Sequence, residues 1–74
     1  MTKKDKKIIE DSERDGIPIF VLTAKDRNSL ETLKKYLNIC IDTSPNKHVN
    51  GIVDRLFEFS DWQIENRDIV KYPD

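Results

Sequence analysis

The residues of this chain whose type and spacing say most about its chemistry are acids in the C-terminal half. If that stretch is helical, their separation by three or four residues places them on one side, about 5 to 6 Å apart along the axis. Such a row can bind a basic surface in the way that nucleic-acid phosphates do. The alternative is that these acids bind no partner and are only solvated, since most acidic helix faces contact only water. The five carboxylates are Asp54, Glu58, Asp61, Glu65 and Asp68.

The sequence has too few suitable side chains to build a catalytic, metal-binding or nucleotide-binding site. His48 is the only histidine and Cys40 the only cysteine, so a zinc cluster or a complete Cys-His site cannot be assembled. Gly16 and Gly51 stand alone and make no phosphate-binding loop. Solvated carboxylates also lack the environments that separate the pKa values of an acid and a base. We therefore expect no enzyme activity, no cofactor and no metal.

Two aromatic residues accompany the acids and could anchor a protein partner. Phe59 and Trp62 project from the main apolar side of the predicted helix toward the side that bears acids. Exposed aromatic rings bordered by charge are typical of binding hot spots. The alternative is that both rings close the core or a dimer interface. The candidate binding residues are Asp54, Glu58, Phe59, Asp61, Trp62, Glu65 and Asp68.

Length and composition predict a small domain with a thin core. The chain has 74 residues, of which 36% are hydrophobic and 36% charged. A core of this size supplies only about 3 to 5 kcal/mol, so we expect a homodimer. The single cysteine indicates a reducing cytosol. We expect no signal peptide, and no apolar run of the sequence approaches the roughly 20 residues of a membrane span.

Charge is distributed in blocks, which leaves a second binding hypothesis open. Residues 1–7 carry four lysines and one acid, whereas residues 51–74 carry six acids and three bases. The lysines could bind nucleic acid through its phosphates, but the acids that follow them favour a solvated tail. Blocks of opposite sign also make a dipolar surface that can orient a molecule on a charged partner.

The N-terminal part combines a charged segment with an apolar one. Residues 1–15 are predicted to form a short helix or an arm that ends at Gly16. Residues 17–23 (IPIFVLT) are continuously apolar and rich in β-branched side chains, which predicts a strand buried on both faces. Pro18 is acceptable near the start of such a strand or on an edge. Residues 16–74 are expected to form one domain.

Two helices and a terminal strand complete the prediction. Residues 29–41 follow a capping-box pattern at Asn28 and Glu31, and residues 48–66 or 49–66 form the second helix. Residues 69–72 read as a short strand. The expected fold is α+β, with an αα hairpin packed on a two- or three-stranded sheet. The apolar side predicted for the second helix consists of Ile52, Val53, Leu56, Phe57, Ser60 and Ile64.

Two blocks of the sequence resemble a family of small phage and prophage proteins. They are IPIFVLTAKD at residues 17–26 and DWQIENRDIVKYPD at residues 61–74. Length and a Lys/Asn/Ile-rich composition are also similar to those of the staphylococcal-phage inhibitors of the host DNA polymerase sliding clamp. That resemblance implies a dimer in the host cytoplasm that occupies the clamp channel, with no direct contact to nucleic acid and none to membrane.

Three functional hypotheses follow. In the first, the protein inhibits host DNA replication by presenting a DNA-imitating acidic surface to the sliding clamp. In the second, it is a phage accessory protein that binds nucleic acid through its N-terminal lysines, or an interaction module of another kind. In the third, a dimer covers the acids with the lysines of the second copy, and neither surface is available to a partner.

Overall fold

The structure is a computed structural model that describes residues 2–73, and in that range it contains three α-helices. Helix α1 spans Lys3–Asp15, helix α2 spans Ser29–Thr43 and helix α3 spans Asn46–Glu65. Only residues 44–45 connect α2 to α3, so these two helices form an antiparallel hairpin. Among residues 2–73, no helix combines the length and the apolar character that a membrane span requires.

The predicted α+β fold is wrong, because the described residues contain no β-strand and the fold is all-helical. Residues 17–23 lie outside the helices without a neighbouring strand. Residues 69–72, predicted to form the terminal strand, contribute only a single parallel bridge between Asp26 and Lys71. A strand buried on both faces needs a partner on at least one edge and cover on both sides, and this short chain provides neither for residues 17–23.

The hairpin encloses a small core. Cys40 on α2, Ile52 on α3 and Val70 after α3 are the buried hydrophobic residues of the described range. On α2, Leu33 and Leu37 are half-buried and share the inward side of the helix with Cys40. Outside this core, the loop between α1 and α2 accepts hydrogen bonds from the side-chain amide of Gln63 on α3.

The Gln63 amide nitrogen is a central polar contact of this fold. It lies 2.9 Å from the carbonyl oxygen of Ala24, 3.3 Å from that of Asp26 and 3.1 Å from Ser29 Oγ. Ser29 is completely buried at the start of α2. Its hydroxyl oxygen is away from water and accepts from the Gln63 amide, whose two N–H groups are shared with the carbonyls of Ala24 and Asp26. One α3 side chain therefore fixes the entry of the chain into α2.

Helix α1 has well-formed ends but few contacts with the hairpin. The Asp5 backbone N–H donates to Thr2 Oγ1 at 3.1 Å, and the Thr2 N–H donates to Asp5 Oδ2 at 3.4 Å, which completes a capping box. Gly16 ends the helix with a φ of 67°, a value that suits glycine. The contact that ties α1 to α3 is an ion pair of 2.8 Å between Asp5 Oδ2 and Arg55 Nη2.

Replacing Thr2 by alanine is expected to destabilise α1 by about 1 kcal/mol, because the hydroxyl that accepts from the first helical turn is lost. Hydrogen exchange of the α1 amides measures this change. Thr32→Ala is the control, since the Thr32 hydroxyl donates to a carbonyl within its own helix region and caps no N–H of α1. Equal exchange in wild type and Thr2→Ala would contradict the prediction.

The molecule exposes more surface than a compact chain of its mass. Its solvent-accessible area is 6197 Å² for 8.7 kDa, whereas a compact monomer of that mass exposes about 4,700 Å². The Cα radius of gyration is 13.6 Å, compared with about 11 Å for a typical domain of this length. Many large apolar side chains therefore lie in water when the chain is alone.

Candidate protein-binding surface

Helix α3 carries four of the five carboxylates that the sequence singles out, and all four are exposed. With 3.6 residues per turn they fall within about 60° of the helix circumference and span about 16 Å along the axis. Asp68 lies beyond the helix, in the turn that follows the C-cap Asn66. We call the helical set the acidic row: Asp54, Glu58, Asp61 and Glu65.

The acidic row keeps most of its negative charge. Arg55 Nη1 lies 2.9 Å from Glu58 Oε2, but the same guanidinium also binds Asp5 at 2.8 Å and is shared between the two acids. Within residues 2–73, Asp54, Asp61 and Glu65 make no ion pair. The chain's own lysines thus do not cover the row, and it is available to a basic partner.

An open groove of about 730 Å³ separates the N-terminal half of α1 from the first turns of α3. Ile8 and Ile52 contribute apolar walls, while Lys4, Asp54 and Glu58 line its rim. The mixture of charges and the wide opening do not provide the enclosed, apolar surroundings of a typical small-molecule site. Two members of the acidic row therefore border α1, and the other two face solvent farther along α3.

The pKa of Asp5 lies below its ordinary value. The hydrogen bond from Thr2 is the main cause, and the positive charge of Arg55 adds to it. A carboxylate with a lowered pKa in the folded state stabilises that state above its ordinary pKa. This stabilisation is lost as the pH falls below 3.8, the ordinary pKa of the group, and then through the lower pKa of the folded state.

Acidification is therefore expected to loosen the N-terminal turn of α1 in the wild type, and the effect should be much smaller in Asp5→Asn, which has no charge to lose. Chemical shifts of the α1 amides, followed from pH 5 downward, measure this transition. Glu10→Asn removes an exposed carboxylate of the same helix and serves as the control. Identical acid transitions in wild type and Asp5→Asn would contradict the assignment.

The single histidine and the single cysteine lie near the connected ends of the hairpin. The rings of Tyr36 and His48 meet edge to face with centroids 6.1 Å apart, and Tyr36 Oη lies 3.4 Å from His48 Nε2. Cys40 is buried, and its hydrogen bond with Tyr36 raises the pKa of that phenol. A neutral phenol is not a base for the thiol at neutral pH, so these contacts stabilise packing. No group of three or more metal-ligating side chains occurs among residues 2–73.

The burial of the aromatic side chains on α3 differs from what the sequence predicts. Phe59 and Trp62, the predicted anchors, are half-buried. Phe57, predicted to face the core, is 66% exposed, and Ile64 is 59% exposed. The placement of Phe57 and Ile64 on the apolar side was therefore wrong. The inward side instead runs through Ile52, Leu56, Phe59 and Gln63.

Helix geometry explains this difference. Ile52, Leu56, Phe59 and Gln63 lie within about 60° of each other, whereas Phe57 lies about 140° from Ile52. A single helix, α2, covers only one side of α3, so apolar residues outside that arc remain in water. Helix periodicity separates Phe57 from Ile52, but only the position of α2 decides which of the two is covered.

Phe57 and Ile64 lie next to the acidic row. Asp61 is four residues after Phe57 and three before Ile64, so it neighbours both side chains on the helix surface. We call the combination of the acidic row with Phe57 and Ile64 the outer α3 surface. It joins negative charge to exposed apolar area, which are the two components of a protein-binding surface.

No family model, curated protein or solved structure matches this chain. The resemblance to small phage proteins therefore stays a prediction.

Proposed function

We propose that this protein is a phage-encoded inhibitor that binds the host DNA polymerase sliding clamp in the host cytoplasm. The outer α3 surface occupies the channel through which the clamp encircles DNA, and replication stops because DNA is kept out. The observation that carries this proposal is the exposure of the acidic row in one line along α3. The mechanism is occupancy and requires no catalytic group.

Electrostatics supports the choice of partner class. A channel that holds duplex DNA presents basic side chains to the phosphates. The acidic row offers negative charges at intervals of about 5 to 6 Å along a rigid helix, so the same basic groups can bind it. Complementary charge accelerates the encounter and rejects acidic partners, and both effects weaken as salt increases.

Apolar contacts supply the part of the affinity that salt does not remove. Phe57 and Ile64 are exposed beside the acids. Burial of a large apolar side chain contributes about 1.5 to 3 kcal/mol. These two residues therefore replace Phe59 and Trp62 as the anchors of the binding surface, because half-buried rings have less area left to offer.

The direct test measures binding of the full chain to purified sliding clamp at low and at high salt, together with loading of the clamp on circular DNA. We expect binding that weakens with salt, and loading that fails when the protein is added first. Excess duplex DNA should compete with the protein for the open clamp. Absence of binding at low salt, or binding without any effect on loading, would overturn the proposal.

Two phenylalanines two residues apart allow a matched comparison of binding and stability. Phe57→Ala should weaken clamp binding by about 10-fold and leave folding unchanged, because the side chain is exposed. Phe59→Ala should lower the free energy of unfolding by about 1 to 3 kcal/mol, because its ring is half-buried. Calorimetric binding and chemical denaturation of both variants separate the two effects. The opposite assignment of losses would show that Phe57 is not an anchor.

Nucleic-acid binding by the N-terminal lysines is the competing function. The structure places Lys3, Lys4, Lys6 and Lys7 on α1, where all are exposed. Lys7 forms an ion pair with Asp11 at 3.4 Å, and the same half of the helix carries three further acids, Glu10, Glu13 and Asp15. A DNA titration of the wild type and of a variant with the four lysines replaced by alanine distinguishes the functions. DNA affinity that disappears in this variant would favour the competing function over clamp binding.

A further inference from the structure

Residues 17–23 form an exposed apolar segment between α1 and α2 without regular secondary structure. Phe20 is 83% exposed, and the neighbouring Ile19 and Val21 are also in water. The segment contains no charged residue. An uninterrupted apolar run of this kind is costly to expose and is typical of a segment that pairs with another chain.

The backbone of the segment is held at both ends and free in the middle. The Ile17 N–H donates to the carbonyl oxygen of Ser12 at 2.9 Å, and the Thr23 carbonyl accepts from Asp26 at 3.1 Å. Between them, the N–H groups of Ile19 and Val21 have no acceptor among residues 2–73. A free backbone edge with β-branched side chains is suited to pairing with a strand.

We infer that this segment pairs antiparallel with the same segment of a second copy, with Phe20 at the two-fold axis. A second copy fits because the run is uncharged, and the pairing therefore brings no like charges together. The exposed surface of 6197 Å² exceeds that of a compact monomer by more than the roughly 800 Å² that each partner buries in a standard interface. This inference does not depend on clamp binding.

Pro18 limits the register by fixing which residues exchange hydrogen bonds, and the two-fold axis at Phe20 completes it. In an antiparallel pair, alternate residues exchange both backbone hydrogen bonds with the residue opposite. Pro18 has no N–H, so Pro18, Phe20 and Leu22 occupy the positions that do not exchange them. Ile19 then exchanges two hydrogen bonds with Val21 of the second copy, and Val21 does the same with Ile19. The series of hydrogen bonds between the two strands is short, because the Ile17 N–H already donates to the carbonyl oxygen of Ser12 in its own chain.

The register brings the two Phe20 residues together at a non-hydrogen-bonded position, where Cα atoms are about 4.5 Å apart and a disulfide can form. Phe20→Cys should therefore give a covalent dimer under mild oxidation. Ile19→Cys should give much less, since the two Ile19 residues are diagonal neighbours about 7 to 8 Å apart. Ile39→Cys, at an exposed site on α2, reports random collision, and the native Cys40 is buried.

Loss of a single backbone donor provides the second test. Val21→Pro should shift the wild-type dimer to monomer in analytical ultracentrifugation, whereas Val21→Thr keeps the N–H and should remain dimeric. Circular dichroism verifies that the helices persist. A monomeric wild type, a dimer that persists in Val21→Pro, or crosslinking at Ile39 equal to that at Phe20 would overturn the inference. Clamp binding by the monomeric variant would leave the proposed function intact.

Discussion

Simultaneous replacement of Asp54, Asp61 and Glu65 by lysine is expected to weaken the proposed clamp binding by at least about 100-fold, because three attractive contacts with a basic channel would become repulsive. These three acids are exposed and take part in no ion pair within residues 2–73, so folding should be retained. Surface plasmon resonance at two salt concentrations measures the loss. The residual binding should lose the salt dependence of the wild type.

A control with the same change in net charge distinguishes the acidic row from overall charge. Glu10, Glu13 and Asp42 are also exposed, but they lie on α1 and α2. Their joint replacement by lysine should change affinity much less than the triple change on α3. Equal losses in the two triple variants would show that net charge alone drives binding, and the acidic row would then have no specific role.

Replacing Ile52 by alanine is expected to leave much of the protein unfolded at room temperature. Ile52 is 7% exposed and is one of the buried hydrophobic residues between α2 and α3. Truncation of a buried isoleucine to alanine costs about 2 to 5 kcal/mol, which is comparable to the roughly 3 to 5 kcal/mol that a core of this size supplies. Urea denaturation followed by circular dichroism measures the shift.

The same substitution at Ile39 is the matched control. Ile39 lies on α2 with 62% of its surface exposed. Its replacement by alanine should change stability by no more than about 0.5 kcal/mol. If Ile52→Ala were as stable as Ile39→Ala, the α2–α3 contact would not be the core of the fold.

The two predictions separate binding from folding on one helix. The inward side of α3, around Ile52 and Gln63, holds the hairpin together, while the outer α3 surface remains free. An inhibitor that acts by occupancy needs such a division, because its binding side chains must be held on a rigid support. A variant that loses binding while its unfolding curve stays unchanged identifies the outer surface specifically.

Local patterns predicted the helical part of this protein well. The expected helices at residues 29–41 and 48–66 correspond to Ser29–Thr43 and Asn46–Glu65. Helix periodicity and the breaks at residues 44–45 are properties of neighbouring residues, so they can be read without tertiary information. The alignment of the acidic row follows from the same periodicity.

Sequence by itself determined where the chain is helical and that four acids share one side of α3, because both depend on residues within a few turns. Tertiary structure decided what is covered. Residues 17–23 have the composition of a buried strand, yet a strand requires hydrogen bonds to a distant segment, and the C-terminal residues pair instead at Asp26. The exposure of Phe57 was likewise settled by the position of α2, which covers one side of α3 and leaves the other in water.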